Sequence, residues 1–486
     1  MQKAYDLIVL GSGASGMTAA VRAKENGVQN VLILEKGPYI GGNSRCAGGI
    51  FATYGRAIAE AGCDMDTEAF YQKALKDLQY SANPAVVRRY IFSTGDAADW
   101  LMDSGLKFAA RKMPFGCTMC NCDTPELEVL YKDIAPTGHS YMGTAMVEHL
   151  KKLCAQNEIE IVTSAPAIAL QADENGAVCG VTAKLKDGEV TIGAKAVILA
   201  TGGAAGTTKS LHEFFPTTWA EGDSNFSFGS ALCTGDGIRL AEGLTAEADT
   251  RRAMGVLIKG PSHLGPGGTQ GLTYSADSLI VTQYGSRFID ESIIFDYHEA
   301  LNNIPQRTTY TIADADTVNA LNDRMPPQSQ PGTSKPPVKL LEGLRQETES
   351  RRPITYIGDS LQEAAELFNI PWETLKKTVE DYNAMCDQGA DTLLGKDPRH
   401  LKPIRKAPFY VLKGIRSTDS TRGGVTIDED FHAMKKDGTP IPGLYAVGDV
   451  AGGWASEVYA PNGAGFTWSF NSGWLCGKVV AEALRS

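Results

Sequence analysis

A chain of 486 residues, 43% of them hydrophobic, is too long for one compact core and predicts two large domains or one domain carrying an insertion. Its formal net charge of −11 argues against nucleic acid or an anionic membrane as the main partner, because both demand a basic face. Small-molecule chemistry is the expectation that remains.

In chain order, "MQKAYDLIVLGSGASG" enters an apolar strand after five residues. That start leaves no room for a signal peptide or transit sequence, and no apolar run approaches a membrane span, so a cytoplasmic location is expected. Leu7 to Leu10 suit a parallel strand, and Met17 to Lys24 have helical spacing. Between them Gly11, Gly13 and Gly16 form G-x-G-x-x-G. Gly11 is expected to make the turn, Gly13 to let backbone approach a pyrophosphate, and Gly16 to let helix pack on strand. Glu35 closes the next strand, where an acid accepts ribose hydroxyls. Strand, turn, helix and acid together read as a dinucleotide site.

"GPYIGGNSRCAGGIF" follows, a backbone-rich loop with Gly42, Asn43, Ser44, Gly48 and Gly49 suited to wrapping a long cofactor. "CTMCNC" places Cys117, Cys120 and Cys122 together without a nearby fourth ligand, so a loop or core role is expected and no metal. The absence of C-x-x-C-H leaves haem attachment unsupported. "AVILATGG", Ala196 to Gly203, is a strand ending in small residues, and "GLYAVGDVAGG", Gly443 to Gly453, is another, with Asp449 able to bind a ribitol hydroxyl. In this order the segments point to FAD. "RMPPQSQPGTSKPPVK" reads as an irregular surface excursion, and "SLQEAAELFNIPWETLKKTVEDYNAMCDQG" as two helices with Pro371 at the start of the second. No second G-x-G-x-x-G follows a strand in mid-chain, so no built-in nicotinamide site is expected.

The N-terminal fingerprint, "GGNS", "ATGG", "TGDG" at Thr234 to Gly237, "SRFIDE" at Ser286 to Glu291, "RGGV" at Arg422 to Val425 and the closing "GD" cover nearly the whole chain. Their order resembles the flavoprotein family of soluble fumarate reductases, urocanate reductases and 3-ketosteroid dehydrogenases. The resemblance implies an α/β fold: a Rossmann-like FAD-binding domain in two sequence-distant pieces, residues 1–246 and 415–486, with an inserted α+β capping domain, residues 247–414. It also implies that Ser15, Lys36, Thr201, Gly202, Gly203, Asp236, Gly448, Gly465 and Phe466 join the cofactor residues. "NSRCAGG" has no histidine, so FAD is expected to be noncovalent, a thiol link through Cys46 being the weaker alternative.

Fumarate reductases of this family carry a proton-donating arginine and a cationic clamp for two carboxylates. Carried onto this chain, the acid position falls at Phe295, one cap histidine falls near Gly255, a second is replaced around Asp419 and Ser420, and "YAPNGAGF" lacks the arginine of the terminal loop. A dicarboxylate buried without cations is costly, so fumarate and urocanate are poor expectations. "VYAPNGAGF" resembles instead the closing loop of the 3-ketosteroid dehydrogenases, with Tyr459 four residues before Gly463. Tyr459 is read as a proton donor or as a tyrosine packed under the flavin, and Tyr297 as a second acid or a cap-core aromatic. Asp296 is more readily a helix or ion-pair residue than a base. Arg422 is a cation beside the cofactor or a structural pairing residue, and His263 lies in a glycine-rich loop. An aromatic pocket implies a flat oxygenated ring as substrate, with reductive removal of the C4 hydroxyl of tetrahydrodaidzein to give equol as the specific expectation. The alternatives are a 3-ketosteroid dehydrogenase or enone reductase, and an electron-transfer subunit. The electron donor, nicotinamide or a redox protein, is left open.

Overall fold

The computed structural model of the chain describes all residues except 1, 48, 63, 108, 113–117, 122–141, 217–225, 228, 251–255, 260–269, 274, 293–307, 326, 328–337, 349–353, 419, 456–463 and 486. The apolar run Leu7–Leu10 becomes the centre of a largely parallel sheet, because a strand covered on both faces needs apolar side chains on both. Strand Ala4–Leu10 pairs in parallel with Val31–Leu34 on one side and with Gly188–Leu199 on the other, Leu10 standing between Leu34 and Leu199. Glu160–Val162 extends the first flank. Pro440–Ala446 extends the second in parallel, with Leu444 opposite Val197. The C-terminal part of the chain thus completes the sheet begun at the N-terminus.

Helix Ala14–Glu25 packs lengthwise on helix Ala464–Ala483. Glycines permit the close approach: a Cβ on Gly473 would lie 2.2 Å from the carbonyl oxygen of Ser15, and one on Gly477 2.4 Å from that of Ala19.

A second sheet is antiparallel except at one edge. Its spine, Phe409–Thr418, pairs with Thr308–Ala313, Val256–Lys259 and Thr355–Gly358, while Leu279–Thr282 pairs with Thr308–Ala313. Phe226–Ser227 joins the spine in parallel. The spine therefore runs past residue 415, and Phe226–Ser227, ahead of residue 247, belongs to the same sheet. On one face Leu279, Tyr310 and Val411 pack against Phe368 and Tyr382 from two helices. Those helices, Leu361–Phe368 and Trp372–Gln388, follow local chemistry. Ser360 caps the first by accepting from the Glu363 amide, left-handed Asn369 ends it, and Pro371 precedes the second. The proline-rich stretch around residue 331 lies outside the described residues.

Arg287 and Glu291 of the "SRFIDE" motif form, with Asp391 and Lys396, a buried ionic group under the second sheet. Arg287 Nη2 reaches Asp391 at 2.8 Å and Lys396 Nζ reaches Glu291 at 3.1 Å, all four side chains being at most 1% exposed. Lys396 also donates to the Ser278 carbonyl and the Tyr382 hydroxyl. Among the described residues no helix is long and apolar enough to cross a membrane.

Candidate functional site

The three glycines of the first turn occupy different environments. Gly11 has φ +109°, and a Cβ there would lie 2.2 Å from the Ala200 carbonyl oxygen; Gly16 would meet the Gly11 carbonyl oxygen at 2.0 Å. Both hold turn, helix and neighbouring strand in contact. Gly13 differs: its Cβ would find only Ser44 Oγ at 3.4 Å and Gly41 O at 4.0 Å. It precedes helix Ala14–Glu25, whose amino end favours negative charge. The open face at Gly13, above a helix start, fits the diphosphate of a dinucleotide.

Glu35, 6% exposed, accepts hydrogen bonds from the Ser12 amide at 3.0 Å, the Ser12 hydroxyl at 2.6 Å and the Gly37 amide at 2.8 Å. The middle residue of Gly11–Ser12–Gly13 thus fixes the carboxylate, a role the motif's glycines did not reveal. Lys36 pairs with Asp236 and donates to Thr234 Oγ1 at 2.7 Å, and Asp236 also receives Arg239 at 3.2 Å. These two sequence candidates tie the end of strand Val31–Leu34 to helix Asp236–Glu242. In the "GGNS" loop, Ser44 Oγ accepts from the Ala14 amide at 2.9 Å and Asn43 Oδ1 from the Ser230 amide at 2.9 Å. Gly42 has φ +46° with open space where a Cβ would stand.

Gly203 is where distant segments meet. A Cβ there would lie 1.9 Å from Thr421 Oγ1 and 3.4 Å from Asp449 Cβ, and its carbonyl accepts from the Gly235 amide. Beside it Gly202, at φ +71°, leaves room for the thiol of Cys233. Burial pushes that thiol up to about 12, with Asp449 adding to the effect, so Cys233 is inert at neutral pH. Gly237 allows Thr201 Oγ1 to approach. Gly448, at φ +70°, rests on Ser15, since a Cβ would lie 2.7 Å from Ser15 Oγ; its amide donates to Ser472 Oγ. "ATGG", "TGDG", "TRGG" and "GD" therefore converge on the first glycine turn. Their small residues, left-handed turns and carboxylates fit an extended FAD.

Behind the "GD" turn the core is aromatic. Trp468 donates its indole N–H to the Gly448 carbonyl at 3.0 Å and stacks on Trp454 with centroids 4.9 Å apart and planes at 11°. Tyr90 stands edge-on to both rings and donates to the Ala464 carbonyl at 2.8 Å. Arg422, 2% exposed, lies with its guanidinium 5.0 Å from the Trp454 ring centroid and against Gly465, where a Cβ would meet Nη1 at 2.4 Å. Phe466 is buried one residue on. Trp454, Trp468 and Tyr90 went unread in the sequence. The position of Trp454 directly behind the glycines of "AGG" was the available signal.

Tyr459, Tyr297, Phe295, Asp296, Asp419, Gly463 and Gly48 lie outside the described residues, as do His263, Cys117 and Cys122. Gly49 is described, just ahead of strand Ile50–Phe51.

The FAD binding domain family matches residues 6–466. A vinyl phenol reductase of Lactiplantibacillus plantarum is 26% identical, the match covering 98% of this chain and 96% of that protein. An NADH:fumarate oxidoreductase of Klebsiella pneumoniae is 27% identical over 93% of this chain, which spans only 45% of that protein's length. Among solved structures, a 3-ketosteroid Δ1-dehydrogenase from Sterolibacterium denitrificans superimposes with a TM-score of 0.79, covering 99% of this chain and 100% of that one at 19% identity, a likeness of fold.

Proposed function

The chain belongs to the FAD binding domain family, and from that premise we propose that it is a reductase of phenolic ring substrates, with tetrahydrodaidzein to equol as the specific reaction. It is an FAD-dependent oxidoreductase by family. FAD, when bound and reduced by an electron donor, would supply the hydride. The residues of the chain have to bind the ring, orient the carbon to be reduced, and move one proton.

The observation that carries this reading is Arg422 lying on Trp454, beside Trp468 and Tyr90, at the meeting of the "GD" turn and the last helix. A guanidinium laid on indole suits a planar ring bearing a polar oxygen, and a small diacid would call for several cations to hold its two carboxylates. The end-to-end match to a vinyl phenol reductase supports the same class. In 4-vinylphenol and in tetrahydrodaidzein the carbon to be reduced is attached to the ring position para to a phenol oxygen. In tetrahydrodaidzein the C4–O bond breaks, the hydroxyl takes a proton and leaves as water, and hydride takes its place at C4. Tyr459 or Tyr297 is assigned the proton. Fumarate and urocanate stay disfavoured.

Dithionite-reduced protein mixed anaerobically with tetrahydrodaidzein, 4-vinylphenol, a 3-ketosteroid and fumarate tests the reading. The phenols should restore the oxidised FAD spectrum and fumarate should not. Reoxidation by fumarate alone would sink it, and reoxidation by the ketosteroid alone would select the enone alternative.

A further inference from the structure

Strand Thr308–Ala313, in the middle of the second sheet, has two unlike faces. Tyr310 and Ile312 pack with Phe368 and Tyr382. Alternation sends Thr309, Thr311 and Ala313 to the opposite face, where Ala313 and Leu412 pack with Leu272, Val318 and Leu344. Thr309 and Thr311 are both 0% exposed, and among the described residues their hydroxyls have no hydrogen-bond partner. Other threonines of the same face are satisfied. Thr282, across the ladder from Thr309, accepts from the Tyr284 amide at 3.2 Å. Thr355, which flanks Leu412 on the side away from Thr311, donates to Glu347 at 3.1 Å. On its other side Thr309 stands opposite Gly414, which adds no side chain to this face. A glycine inside a strand often marks a place where another group approaches the backbone closely. A third hydroxyl comes from the cover. Thr273, 1% exposed and likewise unpartnered among the described residues, ends helix Gln270–Thr273, whose Leu272 packs on this face.

We propose that Thr309, Thr311 and Thr273 hold internal water between the second sheet and the helix that covers it. A hydroxyl sealed from solvent without a partner is costly, and buried polar groups are as a rule paired with protein or with ordered water. Residues two apart on one face of a strand stand roughly 6–7 Å apart, a span that one water closes when both hydroxyls lean toward it. Three uncharged hydroxyls match the two to four polar partners that a buried water takes. The water ties helix Gln270–Thr273 to the sheet by hydrogen bonds, where Leu272 alone would hold it by apolar contact.

Valine has the shape of threonine without the hydroxyl, so the sign of its effect decides the matter. FAD-loaded Thr309→Val and Thr311→Val, with FAD content as the control of folding, should each melt about 1–3 °C lower by calorimetry, because each loses a satisfied hydrogen bond. The double variant should fall by less than the sum, since the two hydroxyls serve one water. A high-resolution crystal structure of the wild-type protein supplies a reading independent of any variant: water density within about 3 Å of at least two of the three hydroxyls. A higher melting temperature in either valine variant would mean that the hydroxyl had been left without a partner, and would overturn the proposal. Fully additive losses, or a crystal structure with no water at these hydroxyls, would overturn it as well.

Discussion

Glu291 accepts two hydrogen bonds from Arg287, Nε at 2.9 Å on Oε1 and Nη2 at 2.8 Å on Oε2, in a core where neither side chain meets water. Lys396 and the Ile280 amide add two more donors to the same carboxylate. The segment holding the expected catalytic stretch therefore begins from a fixed ionic group. Removing one partner from such a group leaves charge buried without compensation. Glu291→Gln is expected to cost about 3–5 kcal/mol, measured by urea unfolding. The exposed pair Lys406–Asp316, at 2.6 Å, is the control: Lys406→Met should leave the midpoint unmoved. Equal effects from both variants would show that burial is not what matters.

Two histidines should give opposite slopes to stability against pH. His432 is held above its ordinary value by the hydrogen bond to Asp428, at 2.9 Å, which outweighs its burial. Its contribution is full below the unfolded value near 6.5 and is lost as pH rises through the higher folded value. His149 is pushed down to about 4 by burial and by the nearby charge of Lys152. The unfolded chain binds that proton first, so stability falls as pH drops from about 6.5 to about 4. Chemical denaturation across this range should show His432→Gln losing the decline on the alkaline side and His149→Gln losing the decline on the acid side. Identical profiles for both variants would contradict the assignment.

Glycine at 473 holds two distant pieces of the FAD-binding sheet's helical layer together. A Cβ there would lie 2.2 Å from the carbonyl of Ser15, backbone that cannot swing aside. Ser15 in turn supports Gly448. Gly473→Ala is expected to cost about 1–3 kcal/mol and to lower FAD retention after gel filtration. Gly176→Ala serves as the control for substitution at a glycine away from this contact, since nothing stands within 4 Å of its Cβ position, although its φ of +77° carries a local strain. Its FAD content should match wild type.

What the sequence made legible follows from range. Leu7–Leu10, the glycine turn and Glu35 lie within one strand–helix–strand unit, so spacing alone orders them, and the paired helices around Pro371 obey the same local rules of capping. FAD followed from the order of short motifs. The partners of those motifs did not, because Thr421 meets Gly203 only after the chain has crossed the second sheet, and Arg422 meets Trp454 only after the strands His432–Met434 and Pro440–Ala446 have returned it to the first. Lys36 and Asp236 were each read as ligands of the cofactor, and their mutual pairing spans 200 residues. The end of strand Phe409–Thr418 was not legible, because a ladder ends where hydrogen bonding ends and no residue type marks that point.

Gly11 and Gly13 separate folding from cofactor binding most cleanly. At Gly11 a side chain meets φ +109° and a backbone oxygen at 2.2 Å, so Gly11→Ala strains the turn whether or not FAD is present. At Gly13 the backbone is extended at φ −68° and the nearest atom would be 3.4 Å away, so the apoprotein has room for a methyl group. That room is where the diphosphate must approach the helix start. Gly13→Ala should therefore keep wild-type circular dichroism and apoprotein melting temperature while its FAD affinity falls roughly tenfold or more, the scale of about 1.4 kcal/mol of lost contact. Gly11→Ala should lower the melting temperature of apoprotein and holoprotein alike. Fluorescence titration of FAD beside thermal melts of both apoproteins reads the two effects. If Gly13→Ala binds FAD as wild type does, the diphosphate does not lie over that glycine.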